Sequence, residues 1–252
     1  MTSIELKDVC LDYIIQTGSH SLKKTAIALF NNYVRGEQNP AAAVRNSSYR
    51  ALKQINLQLC EGDRVGILGR NGAGKSTLLR VLAKIYKPNE GHINISGKIS
   101  SLFDVKLGMN PEATGYENIV NLAVMRGISK KSALAIIPDV ESFTELGDFL
   151  NSPTKTYSAG MHIKLAFGVA TAYPPEIMLI DEIIGVGDMY FMEKATKRVE
   201  SMIEKSQILV LTSHSNEIIK RFCNKVIVLN KGEIQFFGQV DAGITYYHQC
   251  EL

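Results

Sequence analysis

The run Val65-Gly66-Ile67-Leu68-Gly69-Arg70-Asn71-Gly72-Ala73-Gly74-Lys75-Ser76 decides the fold. Val65 to Leu68 are apolar on both faces, as central parallel strands are. Gly69 to Ser76 match G-x-x-x-x-G-K-[ST] in full. From Lys75 to Tyr86 the residues Leu78, Leu79, Val81, Leu82 and Ile85 recur at helical spacing, and Pro88 predicts the stop. Strand, glycine loop and helix in that order make the pattern an anion site. Glycines let backbone N–H groups converge on a phosphate with no Cβ in the way, and a helix N-terminus adds positive potential. In this reading Gly69, Arg70, Asn71, Gly72, Ala73 and Gly74 form the cradle. Lys75 reaches the β- and γ-phosphates, the Ser76 hydroxyl ligates Mg²⁺, and Thr77 lies beside it. The expectation is a nucleoside triphosphate site.

Outward from that loop the periodicity reads as α/β. Ile55, Leu57 and Leu59 alternate with Gln54, Asn56 and Gln58, which predicts a strand with one wet face. Ile177–Ile180, Ile208–Leu211 and Val226–Leu229 read as further buried strands, the last running through Asn230-Lys231-Gly232 into a hairpin. Residues from about 112 to 172 read as helical, punctuated by Gly127, Pro138 and Pro153. The fold class is α/β, with a mostly parallel core, an antiparallel patch and a helical insertion, in one domain over 1–252. Residues 14–50 form a polar insertion in which Leu22, Ala26, Leu29, Phe30 and Tyr33 would share one face of a helix from Ser21 to Val34. That helix would be a surface cover, or a contact to a partner or a membrane surface.

Composition narrows the classes. With 45% hydrophobic and 21% charged residues over 252 positions, a disordered chain is excluded. A net charge of +3 is too small to argue for a nucleic-acid partner. Cys10, Cys60, Cys223 and Cys250 are far apart in sequence, so free thiols are expected rather than zinc or disulfides. No stretch reaches the roughly 18 apolar residues that span a bilayer. The start, Met1 to Asp8, carries acid early and does not read as a signal peptide, so a cytosolic location is expected.

Two carboxylates end the Ile177–Ile180 strand. Asp181 is placed to hold Mg²⁺ directly or through water, and Glu182 could polarise an attacking water as general base. Tyr157-Ser158-Ala159-Gly160-Met161 then opens another helical stretch, read from His162 to Ala172. Small residues at a helix start make an anion site by the same physics as the first loop.

The segment from Tyr157 to Met161 resembles the signature motif of ABC ATPases, in the form found in the polysaccharide-export branch. The resemblance implies an ABC cassette with a RecA-like core, an antiparallel β subdomain and a helical signature subdomain over about 106–172. It implies that Ser158, Ala159 and Gly160 bind the γ-phosphate of ATP held by an opposite subunit. Gly185-Val186-Gly187-Asp188 is similar to the D-loop of that branch, which puts Asp188 at the dimer interface. His214 in Thr212-Ser213-His214 falls where the family places its switch histidine. Pro111 to Asn118 is similar to a stretch of the polysaccharide exporters. The loop Ser101 to Gly108 lacks the glutamine most ABC ATPases carry there, and Asp104 is its nearest acid for Mg²⁺. Tyr13 is the expected adenine-stacking aromatic, with Tyr49 as the alternative.

What the resemblance implies is the ATPase subunit of a bacterial exporter for a lipid-linked polysaccharide of O-antigen or capsule type. Such a subunit works on the cytoplasmic face of the inner membrane, as a head-to-tail homodimer beneath two copies of a separate permease. ATP and Mg²⁺ are its expected ligands, with no nucleic acid. The chain is expected to lack the C-terminal carbohydrate-binding domain that some members carry. A teichoic-acid exporter is the nearest rival. A soluble ABC ATPase on ribosomes or DNA would favour two fused cassettes or long coiled coils, and a P-loop kinase would not need Ser158-Ala159-Gly160.

Overall fold

The structure, a computed structural model, describes residues 1–17, 45–103, 108–181 and 189–250. In chain order it begins with β1 (Ser3–Thr17), β2 (Arg45–Cys60), β3 (Arg64–Leu68) and α1 (Lys75–Leu82). There follow β4 (Glu90–Ser96), β5 (Ile99–Ser101), α2 (Gly115–Met125), α3 (Lys130–Ala135), α4 (Ile137–Thr144) and α5 (Ala159–Ala170). The last third holds β6 (Ile177–Asp181), α6 (Met189–Lys205), β7 (Ile208–Thr212), α7 (Asn216–Phe222), β8 (Lys225–Asn230), β9 (Glu233–Gln239) and α8 (Val240–Gln249).

The strands form two sheets. One is antiparallel, in the order β2-β1-β4; the other runs β5-β6-β7-β3-β8-β9 and is parallel except for β9. Period-2 alternation sorts the parallel strands into two cores. Val65, Ile67, Ile177, Leu179, Ile208, Val210, Ile227 and Leu229 face α1 and the antiparallel sheet. Met178, Ile180, Leu209, Leu211, Val226 and Val228 face the other way, onto α5, α6 and the C-terminal helices. Burial on both faces is why these strands read as unbroken apolar runs. A third core, built on Ile119, Leu122, Val140, Leu150, Leu165 and Val169, holds the helical lobe together.

Leu52, Ile55, Leu57 and Leu59 are buried while Gln54, Asn56 and Gln58 face water, as the alternation predicts. Three boundaries differ from expectation. Helix α1 ends at Leu82, four residues before Tyr86, because Lys84 takes a left-handed conformation (φ 60°) and turns the chain well before Pro88. Helix α5 starts at Ala159 and ends at Ala170, since Ser158 caps it by accepting a bond from the Met161 N–H at 3.2 Å. The polar insertion is shorter than 14–50, because β1 and β2 pair from Ser3↔Cys60 out to Thr17↔Arg45. Its expected helix from Ser21 to Val34 lies outside the described residues.

All four cysteines are free. Burial pushes the Cys223 thiol up to about 12, which keeps it in the protonated form. No helix among the described residues is long and apolar enough to cross a membrane.

Candidate functional site

Parallel register gathers the site at one end of the mixed sheet. Asp181 at the end of β6 is paired with Thr212 at the end of β7, and Thr212 is also the register partner of Ile67 in β3. The glycine loop leaves β3 two residues later, so three strands deliver their C-terminal ends to one crevice, the usual ligand position in open α/β sheets. A cavity of about 360 Å³ opens there, within the range of small-molecule sites. Its walls include Asn71, Gly72, Gly74, Lys75, Ser76 and Thr77 from the loop and α1. Asp181, Thr212, Ser213 and His214 come from the strand ends, and Tyr13, Tyr49 and Ala51 from the antiparallel sheet.

The loop is held from below. A Cβ on Gly69 would stand 2.4 Å from the Leu229 carbonyl oxygen, so only glycine lets the loop lie against β8. The Gly232 N–H donates to the Ala73 carbonyl at 2.9 Å, and the Lys53 N–H donates to the Gly232 carbonyl at 2.8 Å. The β8–β9 turn therefore ties the loop to β2. Gly69, Arg70 and Ala73 support the cradle without lining it. The Lys75 ammonium donates to the carbonyls of Gly69 at 2.6 Å and Arg70 at 3.2 Å, which fixes its charge over the loop. Helix α1 is anchored behind it by buried Leu78, Leu79, Val81 and Leu82, each worth about 1.5–3 kcal/mol.

On the opposite wall the Thr212 hydroxyl, 2% exposed, donates to Asp181 Oδ1 at 2.7 Å. That bond restrains the carboxylate, which lines the same cavity as Ser76 and Lys75. Ser76 and Asp181 offer hard oxygen donors, the right chemistry for Mg²⁺. Mg²⁺ usually keeps several waters and is held by one or two protein oxygens together with substrate phosphates, which two such donors beside the loop would allow. His214 is exposed at the rim.

The tyrosines border the cavity from β1 and β2. Tyr13 and Tyr49 are register partners, so both side chains stand on one face. The Tyr13 hydroxyl lies 3.1 Å from the Thr77 Oγ1, and its ring meets Tyr86 edge-on at 5.8 Å. Both Tyr13, the expected adenine-stacking residue, and Tyr49, its alternative, line the cavity. Sequence reasoning missed Thr212, Ser213 and Ala51. Thr212 had a signal: like Asp181, it is a polar residue ending an apolar strand.

Ser158, Ala159 and Gly160 are not among the cavity walls. Ser158 and Ala159 are exposed at the start of α5, and Gly160 is half-buried. The turn is braced from inside, where the buried Tyr157 hydroxyl donates to the Phe149 carbonyl at 2.6 Å. Asp104, Glu182 and Asp188 lie outside the described residues.

The sequence profile of the ABC transporter family matches residues 52–185. The O-antigen export system ATP-binding protein RfbE of Yersinia enterocolitica is 43% identical over 93% of this chain and 97% of its own length. The teichoic acids export ATP-binding protein TagH of Shouchella clausii is 35% identical over 82% of this chain, which spans 58% of that relative. The O-antigen export system ATP-binding protein RfbB of Myxococcus xanthus is 35% identical over 99% of this chain and 56% of its own length. Among solved structures, a dimeric post-hydrolysis state of the ATP-binding cassette MJ0796 bound to ADP and Pi aligns with a TM-score of 0.65. That alignment covers 94% of this chain and 98% of the other at 22% identity, a likeness of fold.

Proposed function

Because this chain belongs to the ABC transporter family, we propose that it hydrolyses ATP to drive export of a lipid-linked polysaccharide of O-antigen type. One observation carries the ATPase reading: the glycine loop, Lys75, Ser76, Asp181, Thr212 and His214 converge on a single cavity bordered by aromatic rings. The relative that this chain matches across 97% of its length favours O-antigen, while the TagH relatives keep a teichoic-acid substrate as the second reading.

In the proposed mechanism the loop N–H groups and the α1 N-terminus hold the phosphates, and Tyr13 supports the base. Lys75 exchanges its loop carbonyls for β- and γ-phosphate oxygens, which charge assistance favours. Ser76 and Asp181 would hold Mg²⁺, whose contribution is to neutralise charge on the phosphate oxygens. Glu182, next in sequence to Asp181, takes a proton from the attacking water as its oxygen bonds to the γ-phosphorus. The bond from the γ-phosphorus to the bridging β–γ oxygen breaks, leaving ADP and phosphate, and His214 contacts the γ-phosphate from the rim. The small-residue turn at Ser158–Gly160 serves a second copy of the chain; Asp188 would contribute to contact between the copies, and Asp104 would help to hold the ion. A separate membrane permease, in two copies at the cytoplasmic face of the inner membrane, receives the motion.

The test replaces the chromosomal copy with Lys75→Ala. Surface glycan should vanish and lipid-linked glycan should build up inside the cell, while the purified variant loses ATP hydrolysis. Normal surface glycan would overturn the exporter reading. Loss of teichoic acid instead would move the substrate to the second one.

A further inference from the structure

We propose that Tyr49 is a second base-contacting residue, gripping the nucleotide base from β2 opposite Tyr13 on β1. The inference rests on the ATP-binding reading above and adds a residue to it.

Antiparallel register pairs Tyr13 directly with Tyr49, so their Cβ atoms lie about 4.5–5.5 Å apart on the same face. Both rings border the cavity that holds Lys75, Ser76 and Thr77. The two are held very differently. Tyr13 is half-buried, with its hydroxyl beside Thr77 and its ring edge-on to Tyr86, so it is a fixed wall. Tyr49 is 50% exposed and makes no hydrogen bond or ring contact among the described residues. A half-exposed ring beside a polar phosphate cradle gains most by covering a flat aromatic ligand.

The backbone under Tyr49 is nevertheless pinned. One residue on, Arg50 makes a bidentate pair with its own cross-strand partner Asp12, at 2.8 and 3.0 Å. The same guanidinium reaches Glu90 on β4 at 2.6 Å. This three-strand clamp locks the register on one face and holds the tyrosine pair on the other. With the backbone already fixed, a ring that meets no partner among the described residues gives up only its own rotamer freedom when it closes on a base.

Calorimetric titration of the full chain with ATP and with inorganic tripolyphosphate separates base from phosphate contacts. Tyr49→Ala should bind ATP about tenfold more weakly, the scale of one lost base–aromatic stack, and tripolyphosphate as the wild type does. Tyr49→Phe should restore ATP binding, because the ring face carries the contact. Unchanged ATP affinity in Tyr49→Ala, or equal loss for both ligands, overturns the inference. Failure of the wild type to bind ATP, or ATP binding that survives Lys75→Ala intact, would instead overturn the nucleotide reading beneath it.

Discussion

Thr212 is a buried residue whose hydroxyl bonds to the neighbouring carboxylate of Asp181. It is 2% exposed, and its hydroxyl donates to Asp181 Oδ1 at 2.7 Å, which leaves Oδ2 without a bond from this donor. A carboxylate free to rotate would present its oxygens to Ser76 and the phosphates only part of the time. Partners that orient a ligating carboxylate typically matter by 10–100-fold in metal affinity or activity. Thr212→Val keeps the β-branched shape that suits a buried strand but deletes the donor. The Mg²⁺ concentration that half-saturates ATP hydrolysis should therefore rise about tenfold or more, and Thr212→Ser should restore it. An unchanged Mg²⁺ titration in Thr212→Val would show that Asp181 does not depend on this bond.

Helix α2 and the turn before α5 are coupled through one glycine. Thr114 caps α2 and forms a reciprocal box with Glu117, whose carboxylate stays below its ordinary pKa by accepting bonds from Thr114. The first helical residue, Gly115, packs on the signature brace: an added Cβ would lie 2.4 Å from the Tyr157 hydroxyl and 2.9 Å from the Leu150 Cα. Helix propensity alone favours Gly115→Ala by about 0.5–1 kcal/mol. Contacts that short with backbone outweigh it, since overpacking typically costs about 1–3 kcal/mol. Gly115→Ala should lower the melting temperature in thermal unfolding; a higher one would mean propensity wins. Legibility followed the same division between local and tertiary causes. Strands β6, β7 and β8 were plain because burial on both faces demands apolar runs. The loop and Asp181 were plain because their chemistry is written in consecutive residues. The outer parts of β1 and β2, rich in Ser, Asn and Gln, carry no apolar period, and the Asp12–Arg50–Glu90 clamp that fixes them joins three separate segments. The end of α1 was hidden because Lys84 turns the chain without glycine or proline. Thr212, Ser213 and Ala51 reached the cavity through register, which a linear pattern does not contain.

At the scale of the molecule, the two helix starts proposed to bind phosphate pack into different cores. The P-loop helix α1 packs in the core shared by both sheets, whereas α5 divides its apolar residues between the helical lobe and the far face of the mixed sheet. Ser158 and Ala159 are exposed and border no part of the P-loop cavity, so within one copy the turn before α5 stands outside that cavity. A head-to-tail pair would complete two sites, each with one copy's loop and the other's turn. Gly160→Asp tests this cleanly. A Cβ there meets nothing closer than the Ser158 hydroxyl at 3.9 Å, and an acid in the first turn suits the helix dipole, so the variant should fold. It should still bind ATP as a monomer, because residues Gly69–Ser76 are untouched. Pairing and hydrolysis should fail, since like charges at close range in a partly dry site repel strongly. Mixing Gly160→Asp subunits with Lys75→Ala subunits then gives a pair in which one site carries both lesions and the other neither. ATP-dependent pairing, followed by sedimentation, should partly return in the mixture and in neither variant alone. If the mixture stays as inactive as its components, each copy must work without the other's turn, and the shared-site arrangement is wrong for this chain.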